Sequence, residues 1–142
     1  MKYFLLLLLS LILYTTCEKN DSSFGKQIEG TWIMQSFRFN GEETIAQGDI
    51  FKMQYKNFDG KEGVTEWMYI LDNVGGTDTV EGIYLIDLEG DKMTIKWGED
   101  RGGLFGDGSP EMTFLVKKNI DTLVLENTNS IGNQRYIKAI KQ

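Results

Sequence analysis

Residues 30–39 read GTWIMQSFRF, and this stretch is where the chain first shows the pattern of a folded domain. From Gly30 onward the dominant spacing of apolar residues is two, which is typical of β-strands and not of helices. Apolar side chains stand on both faces of this first run, with Trp32 near its start. We therefore interpret residues 30–39 as the opening strand of a β domain and the rest of the chain in relation to it.

Seven further runs of the same kind follow, each bounded by turn residues. The eight predicted strands span residues 30–39, 50–58, 65–71, 79–87, 92–97, 111–117, 122–126 and 133–140. Tight turns are expected at residues 59–60, 75–76, 89–91 and 119–121. Sequential strands with short links favour an all-β, eight-stranded antiparallel up-and-down barrel. A two-sheet sandwich is the alternative, because periodicity alone does not distinguish the two.

The alternation also assigns side chains to the inside of such a barrel. The residues predicted to face inward and to bind a ligand are Met34, Ser36, Phe51, Met53, Tyr55, Trp67, Tyr69, Tyr84, Trp97, Met112 and Phe114. Methionines, aromatic rings and a few hydroxyls describe a pliable pocket for a small hydrophobic molecule. The same side chains would otherwise simply fill the barrel.

Other apolar residues fall on the nominal outer face of the strands. They are Ile33, Phe37, Phe39, Leu115 and Val124. A patch of this kind suits contact with another protein or self-association. The second hypothesis is therefore a non-enzymatic interaction module with a filled barrel, which contacts its partner through loops or outer strands.

Composition excludes several classes of function. The 142 residues carry a net charge of -6, which disfavours nucleic acid as a partner. There is no histidine and only one cysteine, so Ser-His-Asp and Cys-His catalysis, His-ligated metals and intrachain disulfides are all excluded. We expect no enzymatic activity, no metal and no cofactor.

The longest predicted loop, residues 98–110, is rich in glycine and carries four charged side chains. These are Glu99, Asp100, Arg101 and Asp107. The loop is interpreted as a solvated connection, with a lid over the barrel mouth or a weak Ca²⁺ site as alternatives, and its spacing does not fit an EF-hand. Asp72 and Asp78 are interpreted as turn residues.

The N-terminal segment reads as a delivery signal. Lys2 is followed by an apolar run at residues 4–13, which is too short to span a bilayer, since that takes about 20 residues. Tyr14-Thr15-Thr16-Cys17 comes directly after the run and resembles the lipobox of bacterial lipoproteins. The resemblance implies a signal peptide at 1–16, a lipid on Cys17 and a place in the bacterial cell envelope, with the outer membrane favoured. An ordinary signal peptide cleaved near Thr16 is the alternative.

Residues 17–27 are predicted to be a flexible polar tether without structure of its own, and the domain is expected to span 28–142. The opening Gly30-Thr31-Trp32, the eight runs and Arg135 on the last run together resemble the lipocalin-like branch of the calycin barrels. The resemblance implies that Trp32 closes one end of the barrel and that Arg135 lies across its ring. Gly30-Thr31-Trp32 also resembles the opening of the avidin-like barrels, which bind biotin.

Overall fold

The computed structural model describes residues 21–72, 75–87, 91–98, 110–128 and 132–142. One helix, α1, spans Asp21–Ile28. Nine strands follow it in this order: β1 Gly30–Phe39, β2 Glu42–Glu43, β3 Ile50–Lys56, β4 Glu62–Leu71, β5 Gly76–Ile86, β6 Lys92–Trp97, β7 Glu111–Lys118, β8 Thr122–Thr128 and β9 Gln134–Lys141. Eight of these coincide with the predicted strands to within a few residues, and the two-residue β2 is an addition.

The strands form one closed antiparallel barrel. Each strand from β3 to β9 pairs with its neighbour in the chain, and β1 pairs with both β3 and β9 to complete the ring. β2 pairs with the last two residues of β1, Arg38 and Phe39. The predicted eight-stranded up-and-down barrel is therefore confirmed, with the short β2 as a ninth strand attached to β1.

The two ends of the barrel differ in what lies across them. The closed end holds α1, the start of β1, the β3–β4 turn and the end of β9. The other end, which we call the open end because no helix among the described residues lies across it, holds the end of β1, the β4–β5 turn and the start of β9. Along the strands, alternate residues are buried, so one apolar core runs through the inside.

A β-bulge in β1 changes which of its side chains face inward. The register of β1 against β9 shifts between Met34 and Ser36, which leaves Gln35 as the extra residue. Before the bulge Met34 is buried; after it Phe37 is buried and Phe39 is half-buried. Two predictions are therefore wrong: Ser36 does not face inward, and Phe37 and Phe39 do not face outward. One extra residue moves every later side chain to the opposite face, because alternation has a period of two.

The helix α1 corrects the prediction that residues 21–27 lack structure of their own. It lies under the closed end, with Gly25 against the ring of Phe58 so closely that a Cβ there would lie 2.3 Å from a ring carbon. Ile28 is fully buried, and Glu29 accepts a hydrogen bond from the Phe58 N–H at 2.6 Å. A helix of eight residues is too short to show a periodic apolar pattern in the sequence. It is also too short to be stable by itself, so packing against the barrel stabilises it.

Trp32 is buried at the closed end of the barrel, and its cationic partner differs from the one that the resemblance implied. Trp32 is fully buried, and its Nε1 donates a hydrogen bond of 2.7 Å to the carbonyl of Ile28. The Lys141 ammonium lies 5.4 Å from the indole centroid. Arg135 lies instead over the ring of Phe39, at 5.3 Å, because the register sets it opposite Phe39 at the open end. The predicted Arg135–Trp32 contact is wrong.

Candidate functional site

The closed half of the barrel interior is filled by side chains. Tyr84 meets Tyr55 edge to face at a centroid distance of 5.1 Å and stacks on Phe58 at 5.7 Å. Each of these three rings is at most 2% exposed, and Met53 and Met93 beside them are fully buried. Ring pairs with these geometries stabilise a core beyond the area they bury. This half of the barrel is therefore a packed core.

Gly63 makes room for Tyr84. A Cβ at Gly63 would lie 2.5 Å from a ring carbon of Tyr84, its partner across β4 and β5. The Tyr84 hydroxyl is buried and has no hydrogen-bond partner among the described residues. Burial raises the pKa of both Tyr84 and Tyr55, so both phenols stay protonated at physiological pH.

A short chain of polar contacts marks the middle of the barrel. The Trp67 Nε1 donates to the Thr65 hydroxyl at 2.9 Å, and that hydroxyl donates to the backbone carbonyl of Gln54 at 3.1 Å. The Tyr55 hydroxyl lies 3.6 Å from the sulfur of Met53. These contacts satisfy buried polar groups and hold Trp67 in place.

Above this level the interior side chains are less completely covered. Met34, Phe37, Trp97 and Met112 keep 5–6% of their surface exposed, and Phe51 and Tyr69 are half-buried while packing against the core. We call the part of the barrel interior that these six residues line the upper chamber. Ile86 and Val116 also keep 7–8% exposure, but they lie near the closed-end termini of β5 and β7.

Aromatic rings form the floor and one wall of the upper chamber. Trp67 meets Trp97 edge to face at 5.0 Å and lies 6.4 Å from the ring of Phe114. On the wall, Phe51 and Tyr69 stack at 5.9 Å, and the Tyr69 hydroxyl donates to Asp78 at 2.7 Å. The chamber therefore presents flat apolar surfaces that end in polar groups at the open end.

A buried arginine stands on β9, on the other side of β1 from this wall. Arg135 is 2% exposed, and its Nη1 donates to the Asn127 side-chain oxygen at 3.1 Å. Asn127 in turn donates to the carbonyl of Thr113 at 2.6 Å. A cleft of about 410 Å³ borders these groups, lined by Arg38, Gly41, Glu126, Asn127, Gln134, Arg135 and Tyr136. The cleft therefore places a guanidinium and an amide at the open end of the barrel.

Glu43 holds the upper part of β1 from outside the barrel. Its carboxylate accepts hydrogen bonds from the Ser36 hydroxyl at 2.5 Å and the Phe37 N–H at 2.8 Å, and Arg38 lies 3.7 Å away. Burial alone would raise the pKa of Glu43, but these hydrogen bonds and the nearby charge lower it below its ordinary value. Ser36, predicted as a ligand contact, is therefore hydrogen-bonded to Glu43 outside the barrel and does not face the interior.

The other predicted ligand-binding residues all lie inside the barrel. Met53, Tyr55 and Tyr84 belong to the packed closed half, and Trp67 and Phe114 form the floor of the chamber. Met34, Phe51, Tyr69, Trp97 and Met112 face the upper chamber. Sequence reasoning missed Phe37, because the bulge that turns it inward leaves no mark on the apolar pattern.

Several predictions fall on residues that the structure does not describe. The signal segment, Cys17, most of the 98–110 loop and part of the 89–91 turn lie outside the described residues. In the described part of the chain, no helix is long and apolar enough to cross a membrane. Within those same residues, no group of three acidic or sulfur ligands stands close enough to hold a metal ion.

No protein-family model and no curated protein sequence matches the chain. Solved structures match it in fold. A redesigned β-barrel superposes with a TM-score of 0.57 and 12% identity, over 83% of this chain and 94% of that chain. The redesigned barrel mFAP1, bound to DFHBI, gives 0.54 and 11% over 82% and 97%. Japanin from Rhipicephalus appendiculatus, bound to cholesterol, gives 0.57 and 12% over 78% and 74%. At such identities the likeness shows the fold: this chain is a lipocalin-like antiparallel barrel.

Proposed function

We propose that this protein is a non-catalytic binding barrel that holds one small, largely apolar molecule in the upper chamber. The observation that carries the proposal is the incomplete burial of the aromatic wall formed by Phe51 and Tyr69, inside an otherwise buried apolar core. The rings of Tyr55, Phe58 and Tyr84 in the closed half are at most 2% exposed, whereas Phe51 and Tyr69 in the upper chamber are only half-buried. A preformed apolar space with a few polar groups at one end is the usual form of a small-molecule site.

The chemistry of the walls indicates which molecules fit. Trp97, Phe51 and Tyr69 offer ring faces, while Met34 and Met112 offer flexible side chains that adapt to an irregular shape. The Arg135 guanidinium, which is hydrogen-bonded to Asn127, places a positive charge at the open end. We therefore expect a ligand with a flat or branched apolar body and an acceptor group, such as a carboxylate, at one end.

Two of the structural relatives hold ligands of this general kind. Japanin was solved with cholesterol and mFAP1 with DFHBI. Both ligands are small molecules held by a protein with this barrel fold. The relatives support the class of ligand and do not specify its identity.

The second hypothesis, a docking surface on the outer wall, is less well supported. The exposed large apolar residues are Ile50, Val64, Ile83, Leu115, Ile120 and Ile140. Val64 and Ile83 lie opposite each other on β4 and β5, and the other four lie on three further strands and one turn. Apolar residues exposed singly or as one pair are normal on soluble proteins and do not form the contiguous patch that marks an interface.

A matched pair of tryptophan substitutions tests the proposal. Met112→Trp adds bulk inside the upper chamber, and Leu115→Trp adds it on the outer face of the same strand. With 1-anilinonaphthalene-8-sulfonate (ANS) as the probe, we expect Met112→Trp to raise the Kd by at least about tenfold. Leu115→Trp should leave the Kd unchanged. The measurement is a fluorescence titration, with thermal melts to show that both variants are folded.

Two results would contradict the proposal. One is a saturable ANS site on the unsubstituted protein that Met112→Trp does not weaken. The other is a loss of ANS binding that is equal in Met112→Trp and Leu115→Trp, which would place the probe on the outer wall or report general loosening of the fold.

The proposal keeps Cys17 as the site of lipid attachment, with the barrel held at the bacterial cell envelope. Its support is the sequence: the only cysteine follows an apolar leader run, with three residues between them. Helix α1 begins at Asp21, four residues beyond Cys17, so only a short segment separates the two. Stable anchoring takes more than one acyl chain, and bacterial lipoproteins, which this segment resembles, meet that need.

A further inference from the structure

The barrel wall has a seam between β1 and β3. The two strands pair only near the closed end, where Gly30–Ile33 face Lys52–Tyr55. Beyond Ile33 the β-bulge at Gln35 redirects β1, and Arg38 and Phe39 pair with β2 in place of β3. The upper halves of β1 and β3 are therefore not hydrogen-bonded to each other.

Residues 44–49 connect β2 to β3 across this seam, and we call them the strap. At its first residue, Thr44 donates from its N–H and its hydroxyl to the carbonyl of Phe37, at 2.8 and 2.6 Å. At its last, the Asp49 carboxylate accepts the N–H of Asp72 at 3.0 Å. Between these ends, no residue from Ala46 to Gly48 is hydrogen-bonded to another strand in the described chain.

The contact between Asp49 and Asp72, which we call the latch, is a close fit and depends on one hydrogen bond. Gly48, with φ of +97°, lies against Asp72 so tightly that a Cβ would stand 2.7 Å from its carboxylate oxygen. The strap itself is largely exposed, apart from Ile45 and Asp49. A segment with few buried contacts and a single distal hydrogen bond opens at low cost compared with a barrel strand.

What lies beneath the strap is apolar. Phe37 on β1 and Phe51 on β3 stand on the two sides of the seam, and Ile45 of the strap packs against the same core. Phe37 and Phe51 both face the upper chamber. Lifting the strap would therefore expose an apolar path from the side of the barrel to the chamber.

From this arrangement we infer that small apolar molecules reach the upper chamber through the side of the barrel, between β1 and β3, when the strap lifts from Asp72. The inference rests on the proposed function, since it concerns how the same chamber is filled. Residues 44–45 act as the hinge, because Thr44 and the Ile45 N–H, which lies 3.4 Å from Glu43, remain tied to β1 and β2. The Asp49–Asp72 bond acts as the latch.

The test is stopped-flow kinetics of ANS binding to the full chain carrying Asp49→Ala. Losing the latch should raise the association and dissociation rates together, by roughly threefold to tenfold, given the usual strength of one hydrogen bond. The Kd should stay unchanged, because the latch is closed in both the free and the bound protein. A merely structural role would instead alter the Kd or the melting temperature without raising both rates.

Two control variants separate the latch from general loosening. Asp49→Asn keeps an acceptor oxygen for the Asp72 N–H and should restore rates close to those of the unsubstituted protein. Asp59→Ala removes a similar clamp at the closed end, where the Asp59 carboxylate accepts the N–H groups of Lys61 and Glu62 at 2.9 Å. It should leave both rates unchanged.

The outcomes are distinct. Unchanged rates in Asp49→Ala, or equal acceleration in Asp59→Ala, would overturn side access while leaving the chamber as the binding site. If Met112→Trp does not weaken ANS binding, the proposed function itself fails, and this inference fails with it. Acceleration in Asp49→Ala alone, with Asp49→Asn close to normal, supports it.

Discussion

Replacing Trp32 with alanine should lower the free energy of unfolding by about 3–5 kcal/mol, as expected for a large aromatic residue lost from a packed core. Trp32 is fully buried at the closed end, and its Nε1 is bonded to the carbonyl of Ile28. The substitution would leave a cavity next to α1 and would remove the donor for that carbonyl. Because small domains are stable by only about 5–15 kcal/mol, the loss is a large share of the total.

Trp32→Phe separates the two contributions. It keeps most of the ring volume but leaves the Ile28 carbonyl without its donor, which should cost about 1–3 kcal/mol. Urea unfolding followed by circular dichroism measures both variants. A loss below about 1 kcal/mol for Trp32→Ala would mean that the indole does not close the barrel.

Replacing Cys17 with alanine should move the protein completely from the membrane fraction to the soluble fraction. Under our proposal the lipid on Cys17 is the attachment to the bilayer, and no acyl chain can be added to alanine. The measurement is fractionation of cells that express the full chain, followed by mass spectrometry of the N-terminal peptide. Since α1 begins four residues later, ANS binding by the barrel should be unchanged.

Two findings would contradict the anchor. One is a membrane fraction that is as large for Cys17→Ala as for the unsubstituted protein. The other is an unsubstituted protein recovered as soluble, with an unmodified thiol and an N-terminus near Thr16, as an ordinary signal peptide would leave it. A salt wash before fractionation removes protein that is held only by charge.

The positions of the strands were predictable because apolar and polar residues alternate along a strand that has one buried face. The run Lys92–Trp97 is an example: Met93, Ile95 and Trp97 are buried while Lys92 and Lys96 are exposed, and β6 begins and ends where the pattern does. The bulge at Gln35 was not predictable, because it adds one residue without adding a turn residue. Phe37 was therefore assigned to the outer face.

The partner of Trp32 illustrates a second limit. Arg135 and Lys141 both stand on the last strand, six residues apart, so alternation places both on the same face. Which one reaches Trp32 depends on the register of β9 against β1, and the structure sets Lys141 opposite Trp32. Composition and spacing carry no information on that register. The helix α1 was missed for a related reason, since its stability comes from the contact of Gly25 with Phe58.

The central claim is that the upper chamber, and not the closed half or the outer wall, holds the ligand. The five methionines of the described chain report on all three places: Met34 and Met112 on the chamber, Met53 and Met93 on the closed half, and Met68 on the outer wall. Methyl NMR spectra of ¹³C-methionine-labelled protein, recorded while ANS is added, measure each place separately. We predict that the Met34 and Met112 methyl signals shift with saturation, while those of Met53, Met93 and Met68 stay in place. Shifts confined to Met68, or no shift at Met34 and Met112 when the probe is bound, would contradict the account.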